Sequence, residues 1–101
     1  MFIFEDIVNL DDKAIQEVLR QVDAKQLALA LKGVSGLVYE SIERNMSERA
    51  TTALEEEMDV LGQVRVSDVE GAQTEIVRVI RELDEAGSIV ISRAGEGEFI
   101  E

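Results

Sequence analysis

The sequence predicts an all-α domain, and three observations support that prediction. Apolar residues recur at the helical period of 3.6 over several long segments. The chain has no proline, and its apolar content is mostly Leu, Ile, Val and Ala, with three Phe and one Tyr. At 101 residues it is expected to be a single domain that can bury a core without disulfides.

The composition disfavours several classes of function. The absence of Cys and His removes thiolate ligands, the commonest metal ligand and the commonest general base, so we expect no enzyme and no cofactor. The formal net charge of −12 repels phosphate backbones and anionic lipid, which favours basic partner surfaces over nucleic acid. No apolar run is long enough for a membrane span, and no secretory leader opens the chain.

Two short helices are predicted at the start. Residues 1–10 open with an apolar run that includes Phe2 and Phe4, and they begin a short helix. Asp11 or Asp12 then caps a helix to about residue 22. Its buried stripe at the helical period consists of Ile15, Val18, Leu19 and Val22.

The next two helices form the centre of the predicted core. Asp23 and Gln26 resemble a capping box before a nearly all-apolar helix, which stops at Lys32 and Gly33. For Lys32, the plain interpretation is a cation near a helix C-terminus. Ser35 caps a helix to about residue 46, with an expected buried set of Leu37, Val38, Ile42 and Met46.

Residues 47–61 form the most informative predicted helix. Ser47 is its N-cap, Gly62 its terminator, and its buried stripe is Ala50, Leu54, Met58 and Leu61. On the outer face Arg49 and Glu56 lie nearly in line, two turns apart, with Thr52, Glu55, Asp59 and Glu57 around them. This face is either a partner surface or an ordinary solvated one. Consecutive acids diverge by about 100°, so Glu55–Glu57 predict no metal site.

The last part of the chain contains a connector, a long helix and a tail. In the connector 63–66, Arg65 is expected either to point outward while its apolar neighbours pack inward, or to pair with a neighbouring carboxylate. Ser67 and Glu70 form a capping box for the longest helix, to about residue 86, ended by Gly87. Residues 89–91 are expected to be extended or a stub strand. The Gly- and Glu-rich tail 92–101 is expected to be flexible, with Phe99 and Ile100 as candidates to dock.

Five segments in register resemble one family, the C-terminal domain of the bacterial flagellar motor switch protein FliG. The segments are Phe2–Ile7, Ala30–Gly33, Asn45–Ala50, Gly62–Gln73 and Glu85–Ile91. The resemblance implies a compact six-helix armadillo-like bundle in the rotor ring, at the cytoplasmic face of the inner membrane in the flagellar basal body. It implies contacts with the stator protein MotA, or its sodium-driven counterpart PomA, with the switch protein FliM, and with other copies in the ring.

The resemblance also implies roles for particular residues. Charged side chains would meet the cytoplasmic loop of the stator to generate torque, and reorientation of the domain would switch rotation. The family's charged positions correspond to Lys32, Arg49, Glu56, Glu57 and Arg65. Its hinge segment corresponds to Met1, Phe2, Ile3 and Phe4, followed by the bundle, 5–91, and the tail. Gln63 stands where the family usually has proline. This difference is expected to make the connector more flexible and the direction of the Arg65 side chain less fixed.

Two alternatives come from other classes. One is the acidic regulatory domain of a magnesium transporter, whose helical domain resembles this family; titration with Mg²⁺ would identify it. The other is an assembly adaptor that docks through its Leu-rich helices and through Phe2 and Phe4, for which charge reversals would be silent.

Overall fold

Five α-helices and a leading 3-10 helix make up the computed structural model, which describes residues 2–91. The 3-10 helix is Phe4–Asn9, and the α-helices are α1 (Asp12–Gln21), α2 (Ala24–Ala30), α3 (Gly36–Glu43), α4 (Glu48–Leu61) and α5 (Val66–Glu85). The described range contains no strand. The prediction of an all-α fold with six helices is therefore confirmed.

Side-chain caps set the start of four α-helices. Each cap accepts a hydrogen bond from the backbone N–H three residues later, which satisfies one otherwise unpaired donor of the first turn. The pairs are Asp11 with Ala14 at 2.8 Å, Asp23 with Gln26 at 2.8 Å, Ser35 with Val38 at 3.4 Å and Ser47 with Ala50 at 3.1 Å. All four starts agree with the sequence prediction.

The start of α5 differs from the prediction. Arg65, rather than Ser67, occupies the N-cap position, and no side chain caps the helix. The Arg65 carbonyl instead accepts bonds from the N–H groups of Asp68 and Val69, at 3.0 and 3.1 Å. Because the helix already includes Val66, that side chain turns outward and is 72% exposed, whereas the sequence predicted that it packs inward.

The end of α3 also differs. The helix stops at Glu43, and residues 44–46 form a turn that leaves Met46 half-buried against the core. Val38 and Ile42 are buried as expected, but Leu37 is 71% exposed. Adjacent helical residues point about 100° apart, so Leu37 is carried away from the face that Val38 buries.

The short helix α2 lies at the centre of the bundle. It packs against both α4 and α5, and the Gln73 side-chain amide of α5 donates to the Ala30 carbonyl at 2.9 Å. The 3-10 helix packs on α3 and α5, and α1 packs on α5. Ile89 and Ile91 follow α5 without regular secondary structure, and both are buried in the core.

Candidate functional site

The outer face of α4 carries the centre of the candidate site. Leu54 is the only fully buried residue of this helix, and Arg49 and Glu56 are both exposed. Seven residues separate these two side chains, which places them about 20° from in line and about 10 Å apart along the helix axis. We call Arg49, Thr52, Glu56 and Asp59 the α4 strip; all four are exposed.

The candidate charges have no ion-pair partner within residues 2–91. This holds for all five positions proposed from sequence: Lys32, Arg49, Glu56, Glu57 and Arg65. The ion pairs of the described region lie elsewhere, within α1, between α1 and the turn after α3, and within α5. The strip therefore offers charges that no neighbouring side chain of this region neutralises.

The structure separates the three consecutive acids of α4. Glu56 is exposed, whereas Glu57 is half-buried and lines a groove of about 670 Å³ with Lys25, Leu29 and other residues of α2 and α4. Glu55 faces another way, toward Tyr39 of α3. Burial raises the pKa of Tyr39, and the charges of Glu43 and Glu55 raise it further. Of the three acids, Glu56 is thus the one most fully presented beside Arg49.

Lys32 and Arg65 lie on other elements. Lys32 follows the end of α2, is half-buried, and donates its backbone N–H to the Leu29 carbonyl at 3.3 Å. Gly33 ends the turn with a φ of +78°, a conformation that suits glycine. Arg65 is exposed at the start of α5. Because α2 packs on both α4 and α5, one small helix links the three elements that carry the candidate charges.

Both aromatic side chains of the candidate hinge are anchored in the core. Phe2 and Phe4 are buried in the core, and Ile3 between them is 52% exposed. Met1 lies outside the described residues. Beside this segment lies a groove of about 570 Å³, which we call the Phe2–α5 groove. Its walls are Phe2, Ile3 and Phe4 on one side and Glu70, Gln73, Thr74, Val77, Arg78 and Arg81 of α5 on the other.

Two polar networks were not found by sequence reasoning. Asp12 of α1 accepts bonds from Arg44, at 3.1 and 3.2 Å, and from Asn45 at 3.2 Å, and these bonds lower the pKa of its carboxyl. More than thirty residues separate the partners, so no local pattern could reveal them. On α5, Arg78 pairs with Glu75 and Glu82; here the i, i+3 and i, i+4 spacing was available as a signal.

The described residues offer no other obvious chemistry. No three acidic side chains in this part of the chain come together in a way that could hold a metal ion. None of the helices in residues 2–91 combines the length and apolar character needed to cross a bilayer.

Comparison with known proteins gives a consistent result. The model of the FliG C-terminal domain family matches residues 1–91. The flagellar motor switch protein FliG of Thermotoga maritima is 55% identical over 100 residues, covering 99% of this chain and 30% of that protein. FliG of Borreliella burgdorferi is 54% identical, covering 99% of this chain and 29% of that protein. The chain thus spans about three-tenths of these relatives.

Solved structures show the same fold. The crystal structure of FliG residues 116–343 from Helicobacter pylori superposes with a TM-score of 0.88 at 43% identity, covering 91% of this chain and 40% of that one. Full-length FliG from Aquifex aeolicus gives 0.82 at 40% identity, covering 86% and 27%. The relatives are motor switch proteins, in agreement with the expectation that this chain is not an enzyme. The chain belongs to the FliG C-terminal domain family.

Proposed function

We propose that the chain is the rotor domain of a flagellar motor switch, and that the α4 strip contacts the stator to generate torque. The observation that carries this proposal is the exposure of Arg49 and Glu56 on one side of α4, with no ion-pair partner within residues 2–91. Membership of the FliG family supports this function over the magnesium-transporter domain.

The physical character of the strip suits a contact that forms and breaks repeatedly. An exposed ion pair contributes only about 0–1 kcal/mol, and salt screens it over about 10 Å. Such pairs set the register and the rate of encounter more than the affinity. A strip with charges of both signs can therefore guide a moving partner without holding it.

The proposed partner is the cytoplasmic loop of the stator protein, MotA or PomA, carrying charges opposite to those of the strip. Three more charged residues would extend the contact beyond the strip. Lys32 follows the end of α2, Glu57 lines the groove between α2 and α4, and Arg65 directly precedes α5. We place the domain in the rotor ring at the cytoplasmic face of the inner membrane, beside FliM and further copies of itself.

The hinge proposal concerns switching of direction. Met1, Phe2, Ile3 and Phe4 would let the bundle reorient relative to the preceding part of the motor protein. The burial of Phe2 and Phe4 supports a joint that moves the bundle as a unit, because the rings fix the segment to the core. Contacts with FliM would bias that reorientation.

Charge reversals in the full-length motor protein test the torque role. Arg49→Asp and Glu56→Lys, alone and together, should impair swimming while flagella still assemble. A charge reversal in the stator loop should partly restore it. Lys13→Asp on α1 and Glu40→Lys on α3 are matched controls, because both residues are exposed and lie outside the strip. Unchanged swimming in all the strip variants, with no interaction with stator charges, would show that the torque role is wrong.

A further inference from the structure

The Phe2–α5 groove lies between the start of the described chain and one face of α5. Its α5 wall consists of residues spaced three or four apart, from Glu70 to Arg81, which therefore share one side of the helix. Phe2 and Phe4 give the groove an aromatic wall, and Val77 adds an aliphatic side chain. The groove thus combines an apolar surface with a cationic end.

Two arginines lie at that end, and its positive charge comes from Arg81. Arg78 is already paired with Glu75 and Glu82, whereas Arg81 forms no ion pair with any of residues 2–91. An occupant that carries an apolar side chain next to carboxylates would suit this arrangement, because the carboxylates could bind Arg81 while the apolar group covers the aromatic wall.

The chain itself contains a segment with that chemistry. Residues 92–101 read Ser-Arg-Ala-Gly-Glu-Gly-Glu-Phe-Ile-Glu, with Phe99 and Ile100 enclosed by Glu98 and Glu101. These are two large apolar side chains in an otherwise polar, acidic stretch. We propose that this segment docks in the Phe2–α5 groove of its own domain, with Phe99 against Phe2 and Phe4 and with Glu98 near Arg81.

The place where the described chain ends makes this docking reachable. Ile91 is buried, and its N–H donates to the Asp84 side chain at 3.4 Å. Asp84 lies three residues after Arg81 on α5, so the segment departs about one turn from the cationic end of the groove. Eight further residues reach Phe99, an extended span of about 26 Å, whereas the groove from Arg81 to Glu70 covers only about 16 Å of helix.

Docking at this position would couple the two ends of the chain. The groove is built partly by Phe2, Ile3 and Phe4, the segment proposed above as a hinge. A docked tail would cover that segment and hold it against α5. The docking itself rests on the groove and the tail alone, so its test needs no motility measurement and can fail independently of the torque role.

A paramagnetic label on the tail provides the test. The chain has no cysteine, so Glu101→Cys with a nitroxide places a single label on the 101-residue protein. NMR signals of backbone amides around Thr74 and Val77 should broaden, and those on α4 around Thr52 should not. Label-free protein enriched in ¹⁵N, mixed with labelled protein at natural abundance, should show no broadening, because the docking is within one molecule.

Matched variants decide whether the contact is specific. Phe99→Ser with Ile100→Ser should abolish the broadening, and so should Thr74→Arg, which fills the groove from an exposed position. Gln21→Arg introduces the same side chain at an exposed site on α1 and should leave it intact. Arg81→Glu should weaken the broadening, and adding Glu98→Arg should recover it.

Three results would overturn the proposal. The first is the absence of broadening on α5 in the labelled protein. The second is broadening that survives both Phe99→Ser with Ile100→Ser and Thr74→Arg, which would indicate diffuse contact. The third is broadening in the mixed sample, which would assign the groove to the tail of a second copy instead.

Discussion

Individual polar and charged residues of this domain divide into those bonded to other side chains and those without such a partner among residues 2–91. Asp12, Arg44 and Asn45 tie the start of α1 to the turn after α3. Arg49 and Glu56 make no comparable contacts within residues 2–91. The first group links two elements of the fold, and the second is the pair proposed to contact a partner, so substitutions in the two groups should have different effects.

Loss of the Asp12 carboxylate should give a pH-dependent loss of stability. Hydrogen bonds from Asn45 and Arg44 lower the pKa of Asp12, so its contribution is present above the unfolded-state value and is lost as the pH falls through the folded-state value. Asp12→Asn should therefore lower the melting temperature near neutral pH. The difference from the parent should shrink as the pH drops below about 4.

Thermal unfolding monitored by circular dichroism over that pH range measures this effect. Asp68→Asn is the control, because Asp68 is also an acid in the first turn of an α-helix but accepts no side-chain hydrogen bond from residues 2–91. An equal loss in both variants, with the same dependence on pH, would mean that the network around Asp12 adds nothing beyond the helix dipole.

Whole elements were predicted well where a local signal sets their limits. Asp11, Asp23, Ser35 and Ser47 each cap the helix that follows, as the sequence indicated. The predicted start of α5 was wrong because the capping-box pattern at Ser67 competed with backbone bonds to the carbonyl of Arg65, two residues earlier. A capping-box motif makes a cap possible, but here the backbone bonds to Arg65 decide where the helix begins.

The two serines at the starts of α4 and α5 should respond differently to removal of the hydroxyl. Ser47→Ala should lower the free energy of unfolding by about 1 kcal/mol, because the Ala50 N–H loses its acceptor. Ser67→Ala should change it by less than about 0.5 kcal/mol, since Ser67 is the second residue of α5 and exposed. Urea unfolding measures both. Equal losses would place the start of α5 at Ser67, as the sequence alone suggested.

For the molecule as a whole, α2 is the organising element. It was recognised from sequence because it is apolar nearly all round, and Leu27, Ala28, Ala30 and Leu31 are all buried. The arrangement of α4 and α5 on it required the structure, since helical periodicity gives the buried face of each helix but not its neighbour. For the same reason the sequence could place Arg49 and Glu56 on one face, but could not separate Glu56 from Glu57.

A pair of leucines tests how the core is assembled. Leu54 attaches α4 to the bundle with no exposed surface, so Leu54→Ala should cost about 2–5 kcal/mol of stability. Leu37, which the sequence predicted to be buried, is exposed on α3, and Leu37→Ala should cost less than about 0.5 kcal/mol. Urea unfolding of the two variants provides the comparison. Similar losses in both would mean that α3 is rotated from the orientation described here.

The open outer face of α4 has a consequence for how its surface charge can be changed. Leu54 is fully enclosed, Met58 and Leu61 pack partly against the core, and most of the other positions of the helix are exposed. The charged and polar residues of the outer face can therefore be substituted one at a time with little loss of folding stability. Under the stator contact proposed above, such substitutions would match the domain to a partner of different charge while its scaffold stays the same.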